Sequence, residues 1–325
     1  MTAVSERLWV NRLKPGTDVE ETYAVRTCDV RQRRGGGPYL AMTLGDRTGD
    51  VAGLVWDDVD RVAKICEPGR VVRLRGQVQR YNQRLQVVVR HAEEVDADGV
   101  DIALYVRASD VDPELLWQRL VALIEDVADP HLKQLLFRVF SDPEVAGLFK
   151  IAPAASGMHH AFRSGLLEHT ISMANAARGL ATHYGLNEDL VVAGALLHDL
   201  GKIWELDIGS SISYTDDGRL LGHLSMEVLF VDKLIAELPA FPAEHRRQLL
   251  HILLSHHGRY EYGSPRRPKT PEALLVHMID NLDSKMAGML EAIGPAGDDD
   301  DAWSEYSRIL ERNIYRRRLP KNPDA

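Results

Sequence analysis

Leu196-Leu-His-Asp-Leu-Gly-Lys-Ile203 is the stretch on which the reading of this chain turns. It closes a segment, Glu188–Leu200, that reads as a helix. His198 follows Val191 and Ala195 at i+7 and i+3, so helical geometry aims its imidazole into whatever that apolar face packs against. Asp199 points about 100° further round the helix, which lets it reach a second partner or stand between two. An imidazole and a carboxylate turned into an apolar bundle are costly without partners. A divalent cation is such a partner, and mixed imidazole–carboxylate ligation suits Mn²⁺, Fe²⁺, Co²⁺ or Zn²⁺ better than Mg²⁺ alone. Taken by itself, a buried His-Asp pair is more often a structural, hydrogen-bonded helix end.

The residues on either side raise it above that bland alternative. His169, in Leu166-Leu-Glu-His-Thr170, opens a helix over Leu166–Tyr184. His223 stands at a loop or helix start before Ser225–Glu237, and His256-His257 close Ala243–His256 just ahead of Gly258. Asp280 lies within a helix over Pro271–Leu290. A constellation of separate His and Asp positions, each on or at the end of a helix, points to a metal site. Pro113–Ile124 reads as another helix with Asp112 as its N-cap. From about residue 110 to Arg318 nearly everything reads as helix, broken by Pro, by Gly and by the solvated acidic loop Gly297–Asp301.

Upstream the period changes from helical to twofold. Tyr39–Leu44 and Val51–Trp56 flank the turn-rich Gly45–Asp50, a hairpin pattern. Val72, Leu74, Gly76 and Val78 alternate with Arg73, Arg75, Gln77 and Gln79, and Leu85, Val87 and Val89 continue the alternation. Short strands with regular turns predict a small barrel. The expected organisation is a β domain over 1–100, a helical linker over 101–150, a helical domain over 151–318 and a tail at 319–325.

Composition sets the outer bounds. The 325 residues are 45% hydrophobic and 27% charged, which suits a folded globular chain. The N-terminal residues are interspersed with charges, and no stretch reaches the roughly 18 apolar residues of a spanning helix. Cys28 and Cys66 are not in metal-type spacing and read as reduced thiols, so a cytoplasmic protein without membrane attachment is expected. Net charge is −9, which speaks against a nucleic-acid partner until its distribution is considered. From Lys64 to Ala92 the only acidic residue is Glu67, against Lys64, Arg70, Arg73, Arg75, Arg80, Arg84 and Arg90. Local charge governs phosphate attraction, because screening limits its reach to about 8–10 Å.

The order His…His-Asp…His…His-His…Asp is similar to that of the HD-domain superfamily of metal-dependent phosphohydrolases. Met158-His-His-Ala-Phe-Arg-Ser-Gly-Leu-Leu-Glu-His-Thr170, Leu196–Ile203, His256-His-Gly258, Tyr262-Gly-Ser-Pro265 and Pro271-Glu-Ala273 resemble the YhaM-type exoribonucleases more closely. Asp46–Gly49 and Leu54–Asp57 resemble that group's β domain. The resemblance implies a multidomain β + α fold, an N-terminal OB-fold β-barrel followed by an all-α HD-domain helical bundle, and an enzyme that degrades single-stranded RNA, with single-stranded DNA also in view, from the 3′ end. It implies two divalent ions, Mn²⁺ before Co²⁺, Fe²⁺, Zn²⁺ or Mg²⁺: one held by His169, His198, Asp199 and Asp280, the other by Asp199, His223, His256 and His257. It also allows a homo-oligomer.

Asp199 and Lys202 are the residues expected to act in catalysis, Lys202 by neutralising phosphoryl or leaving-group charge; a lysine satisfying the helix dipole is the plain alternative. His159, His160 and Arg163 could grip a phosphate, and Arg266 and Arg267 could contact the strand backbone. On the β domain, Arg73, Arg75 and Arg84 supply a basic face and Tyr39 and Tyr81 supply stacking rings, with the loop Arg31–Gly37 as a flexible phosphate contact. Trp56 reads as core, and Asp283 as an exposed ion pair with Lys285 nearby. His277 is a candidate supporter of the site. Two other functions remain open: an HD-type nucleotide or cyclic-nucleotide phosphohydrolase, which leaves the β domain without a task, and a non-catalytic single-strand-binding module, which leaves the ligand set without one.

Overall fold

The computed structural model describes residues 7–33, 35–82, 84–96, 100–155, 162–209, 211–293, 302–304, 306–307 and 310–317. It divides into two compact units, Met1–Ala108 with Asp207–Ser213, and Ser109–Leu206 with Tyr214–Ala325.

The first unit is built on five strands, β1 (Asp18–Gln32), β2 (Pro38–Asp46), β3 (Gly49–Val55), β4 (Val71–Tyr81) and β5 (Arg84–Glu94), with helix α1 (Val59–Ile65) between β3 and β4. They close in the order β1-β2-β3-β5-β4, with β3 and β5 parallel and the other pairs antiparallel. This is the OB-fold barrel. The alternation read from the sequence is what fills it: Val72, Leu74, Val78, Val87 and Val89 are buried inside while Arg73 and Arg75 face outward. Gly76 sits at a register shift between β4 and β5, where a Cβ would lie 2.4 Å from the Val88 carbonyl oxygen. Only glycine allows the strands to approach there.

Strand β1 had no clear sequence signal, and its packing explains why. Tyr23, Ala24 and Val25 are buried consecutively, because Tyr23 and Val25 enter the barrel core while Ala24 enters a separate small cluster with Val71 and Tyr105. A strand covered on both faces loses its twofold pattern. The expected loop Arg31–Gly37 is also shorter than read: Arg31 and Gln32 are still in β1, paired with Tyr39 and Pro38.

The helical unit contains α2 (Pro113–Glu125), α3 (Pro130–Phe140), α4 (Pro143–Ile151), α5 (Gly165–Tyr184), α6 (Glu188–Leu197), α7 (Lys202–Glu205), α8 (Asp216–Leu221), α9 (His223–Glu237), α10 (Ala243–Ser255) and α11 (Pro271–Ile293). A short hairpin, β6 (Leu206–Ile208) with β7 (Ile212–Tyr214), lies between α7 and α8. Helices α2, α3 and α4 start the same way: Asp112, Asp129 and Asp142 accept amide hydrogen bonds, and a proline follows at the first helical position. These helices contribute Leu116, Leu132, Leu136 and Phe149 to the core that also takes Leu166 of α5 and Leu197 of α6. The segment expected as a linker thus supplies part of the helical core.

At the centre of that core, α6 is buried on every side from Leu190 to Leu197. Gly194 permits this, since a Cβ there would lie 2.8 Å from Ile252 of α10 and 3.5 Å from Val276 of α11. Among the described residues beyond Ile293 the expectation of helix fails. The described residues pair as two isolated bridges, Trp303 with Tyr315 and Ser307 with Arg312. Among the described residues no helix is long and apolar enough to cross a membrane.

The N-cap of α3 is also a tertiary contact. Asp129 accepts from the amides of His131 and Leu132 and faces His245 Nε2 at 2.9 Å. Burial raises its carboxyl pKa, but the amide of Leu132 and the His245 ring outweigh this and hold it below the ordinary value. Asp129→Ala is expected to lower stability by about 1–2 kcal/mol at neutral pH, read as a lower denaturant midpoint. A carboxyl depressed in the folded state stabilises above its unfolded pKa of about 3.9 and stops doing so as pH falls through its folded value. The gap between wild type and variant should therefore close on acidification.

Candidate metal centre

The site grows from the end of α6. His198 caps that helix and Asp199 follows it, both buried. The chain then turns through Gly201, where a Cβ would lie 2.2 Å from the His223 carbonyl oxygen. A glycine here lets the turn lie directly on the start of α9 and brings His223 beside Asp199. His256 caps α10 as His198 caps α6, and Gly258 (φ +77°) turns the chain where a Cβ would strike the His277 ring.

All seven ligands expected from the sequence converge, in two groups. Ligand atoms of His169, His198 and Asp280 lie within 4.8 Å of one another, as do those of Asp199, His223, His256 and His257. Asp199 stands between them. Its Oδ2 is 3.6 Å from His169 Nε2 and 3.3 Å from His198 Nε2, while its Oδ1 is 3.6 Å from His223 Nε2 and 3.8 Å from His256 Nε2. The two oxygens of one carboxylate thus face different groups.

Hydrogen bonding fixes which ring nitrogen each histidine presents. The Nδ1 atoms of His198, His256 and His257 each lie 2.8 Å from a backbone carbonyl, of Ala195, Leu253 and Tyr262 respectively. A carbonyl only accepts, so Nδ1 carries the proton and Nε2 carries a lone pair in the neutral ring. His169 Nδ1 is 2.7 Å from Asp283 Oδ2, and His223 Nδ1 is 2.9 Å from Glu205 Oε2, which directs those rings the same way. The Nε2 atoms are turned inward on each other: 3.2 Å separates those of His169 and His198, and 3.3 Å those of His223 and His257. His256 Nε2 is buried with no hydrogen-bond partner.

The crowding of buried charged and ring groups shifts their ionisation. Burial, then the neighbouring His257 and His198, push His256 well below its ordinary pKa. Burial also pulls His169 down, but Asp280 and Asp283 outweigh it and raise it to about 9. Burial raises Asp199, but Lys202 and the histidines hold it well below the carboxylate range. Lys202 Nζ lies 2.7 Å from Asp199 Oδ2. Inward lone pairs, an orphaned buried imidazole nitrogen and anionic carboxylates fit divalent ions.

Other residues of the site carried weaker sequence signals. Asp283, expected as an exposed ion pair, instead orients His169 and accepts from Ser172. Its spacing of three from Asp280 on α11 places both carboxylates on one helix face. His277 Nδ1 donates to the His256 carbonyl at 2.7 Å. Glu205 and Glu227 escaped notice because neither belongs to a periodic pattern. Glu205 holds both the amide and Nδ1 of His223. Glu227 is 0% exposed, and burial with Asp199 nearby drives its carboxyl well above the ordinary range.

The expected strand contacts are more scattered. His159 and His160 lie outside the described residues, and Arg163 is exposed ahead of α5. Arg266 and Arg267 are exposed in the segment between α10 and α11. On the barrel, Arg73, Arg84 and Tyr81 are exposed, whereas Arg75 is ion-paired with Glu20. Arg70, already beside Glu67, also pairs with Glu94, so neighbouring strands supply acids, Glu20 and Glu94, that the linear run of arginines conceals. Trp56 is 36% exposed, not core; its ring stacks on Tyr39 at 5.1 Å, and the Arg33 guanidinium lies 5.0 Å from the same ring.

The two carboxylates that orient imidazoles serve different groups, which separates their effects. Asp283→Asn is expected to weaken Mn²⁺ binding about 10–100-fold at the His169 group, and Glu205→Gln by a similar factor at the His223 group. Calorimetric titration of each variant should show one weakened and one retained site. Two unchanged sites would contradict the orienting roles.

Residues 166–285 match the HD domain family, and residues 25–95 match the family described as OB-fold nucleic acid binding domain. Among solved structures, the HD domain of the L. monocytogenes phosphodiesterase PgpH is 19% identical, covering 45% of this chain and 74% of that one, with a TM-score of 0.31. The second OB-fold domain of replication protein A from Methanococcus maripaludis is 18% identical, covering 28% of this chain and 96% of that one, with a TM-score of 0.23. Likenesses at this level add nothing on function. The barrel topology, the helical bundle and the two family matches together show an N-terminal OB-fold barrel followed by a helical HD domain.

Proposed function

We propose that this protein is a metal-dependent exonuclease that hydrolyses phosphodiester bonds of single-stranded RNA, and of single-stranded DNA as a second substrate, from the 3′ end. The observation that carries the reading is the placement of Asp199, one oxygen toward each of two histidine groups. His169, His198, Asp199 and Asp280 would hold one divalent ion, and Asp199, His223, His256 and His257 the other. Such a pair, when bound, supplies an activated water and charge stabilisation at the leaving oxygen; Mn²⁺ is the first ion to try. Lys202, against Asp199 and only partly exposed, keeps a cation where negative charge develops on phosphoryl oxygens. Asp283, Glu205 and the carbonyls of Ala195, Leu253 and Tyr262 hold the imidazoles in one orientation, so that little reorganisation accompanies reaction. The OB-fold domain supports a polymer over a free nucleotide as the substrate, because stacked Tyr39 and Trp56 and the exposed Arg73 have the chemistry of a single-strand contact. Polarity follows from the resemblance to YhaM-type enzymes.

The test is a time course with 5′-labelled single-stranded RNA and Mn²⁺, comparing wild type with Asp199→Ala. A ladder shortening from the 3′ end, slowed at least about 1,000-fold in the variant, is the expected result, since Asp199 belongs to both ion groups. Intact RNA alongside turnover of mono- or cyclic nucleotides would replace the exonuclease with a small-nucleotide phosphohydrolase. Binding of RNA without hydrolysis of either substrate class would leave a single-strand-binding module.

A further inference from the structure

The segment between α10 and α11 carries a second set of features beside the histidines. Tyr260–Tyr262 form one 3-10 turn two residues beyond His257, and the two tyrosines are 55% and 62% exposed. The turn is not loose. The Tyr262 carbonyl accepts from His257 Nδ1 at 2.8 Å. Ser264 is buried, and its hydroxyl lies 3.1 Å from the Leu254 carbonyl and 2.8 Å from that of Arg266. Its amide donates to the Arg259 carbonyl, while further on the amide of Lys269 donates to His251 Nε2. Gly263 ends the turn at φ +82°, which favours glycine. The backbone is pinned at these points while both tyrosines stay exposed.

Arginines predominate around them, with Glu261 as the acid within the turn itself. Arg259 lies over the Tyr262 ring at 5.9 Å and Arg267 over the Tyr260 ring at 5.2 Å, with exposed Arg266 alongside in sequence. Among the described residues none of these three arginines makes an ion pair, in a chain whose net charge is −9. This contrasts with the barrel, where Arg70 and Arg75 are neutralised by carboxylates.

We infer that Tyr260 and Tyr262, with Arg259, Arg266 and Arg267, form a subsite that stacks nucleobases and grips phosphates of a single strand beside the His257 end of the metal centre. Exposed rings answer to bases and unpaired guanidinium groups to phosphates, and single strands are the ligands that offer both at successive positions. The hydrogen bond from His257 to the Tyr262 carbonyl ties the stacking surface to a candidate metal ligand, so a base held on the turn has a fixed distance to the reacting phosphate. The inference rests on the exonuclease reading for its location, and it adds the residues that hold the terminal nucleotides.

The test compares two ten-nucleotide RNAs in the presence of Mn²⁺, both 5′-fluorescent and both hydrolysis-resistant through 3′-terminal phosphorothioate linkages, one of them lacking the last two bases. Anisotropy with the full chain should show the intact strand binding roughly tenfold or more tighter than the abasic one, the scale of base–aromatic stacking. Tyr260→Leu with Tyr262→Leu should reduce that ratio to near one, and the corresponding Phe pair should restore it, because a phenyl ring still stacks. A Leu pair that keeps the wild-type ratio, a wild type without discrimination, or a Phe pair no better than the Leu pair would overturn the subsite. Cleavage of an ordinary RNA by the same wild-type preparation separates the two readings. Base discrimination without cleavage keeps the subsite and discards the exonuclease, whereas cleavage without discrimination does the reverse.

Discussion

Inward-facing lone pairs are the constraint on which the rest of the helical unit depends. Three of the five site histidines donate Nδ1 to carbonyls that can only accept, and the other two face carboxylates, so five Nε2 atoms are committed to one small volume. Within that volume the buried Nε2 of His256 has no hydrogen-bond partner. Such a concentration of unsatisfied polar groups is unfavourable for folding alone. Its retention in a well-packed core is understandable when the unfavourable contacts become ligand bonds.

The surrounding fold is arranged to hold that constraint. α6 is apolar throughout its last eight residues and packs at Gly194 against both α10 and α11, the helices that bring His256 and Asp280. A helix with no solvent face has no freedom to rotate, which fixes the directions of His198 and Asp199 at its end. Gly201 and Gly258 do the same for the turns: each lies where a side chain would collide with a site histidine. Packing density and ligand geometry are therefore set by the same residues, and a small residue at Gly194 or Gly201 matters to chemistry through distance alone.

How much of this the amino-acid order discloses depends on whether a residue's partner is near in sequence. The barrel strands β4 and β5 are legible because one face is buried and the other wet, whereas β1 is not, since Tyr23, Ala24 and Val25 enter two different clusters. The seven metal-type residues are legible because each sits at a helix end or on a helix face. Glu205 and Glu227 are not, because nothing local marks a carboxylate whose partner is a histidine many residues away. Asp283 lay within reach through its spacing from Asp280, and the nearby Lys285 pointed the wrong way. The run of arginines in β4 misled similarly: Glu20 and Glu94 are distant in the chain and adjacent in the sheet.

The distribution of arginines bears on how an acidic chain could handle a polyanion. An arginine already bound to a carboxylate contributes little to phosphate attraction, because the neighbouring negative charge cancels its field within a screening length. On that criterion Arg70 and Arg75 of the barrel count for less than their number suggests, and the arginines after His257 count for more. Net repulsion from the rest of the surface then works in favour of specificity: it weakens indiscriminate adhesion of duplexes and long polyanions while leaving local contacts intact. A strand would be held where unpaired cations and exposed rings coincide, and the turn carrying Tyr260 and Tyr262 is one such place, fixed by a hydrogen bond to the histidine beside which hydrolysis would occur.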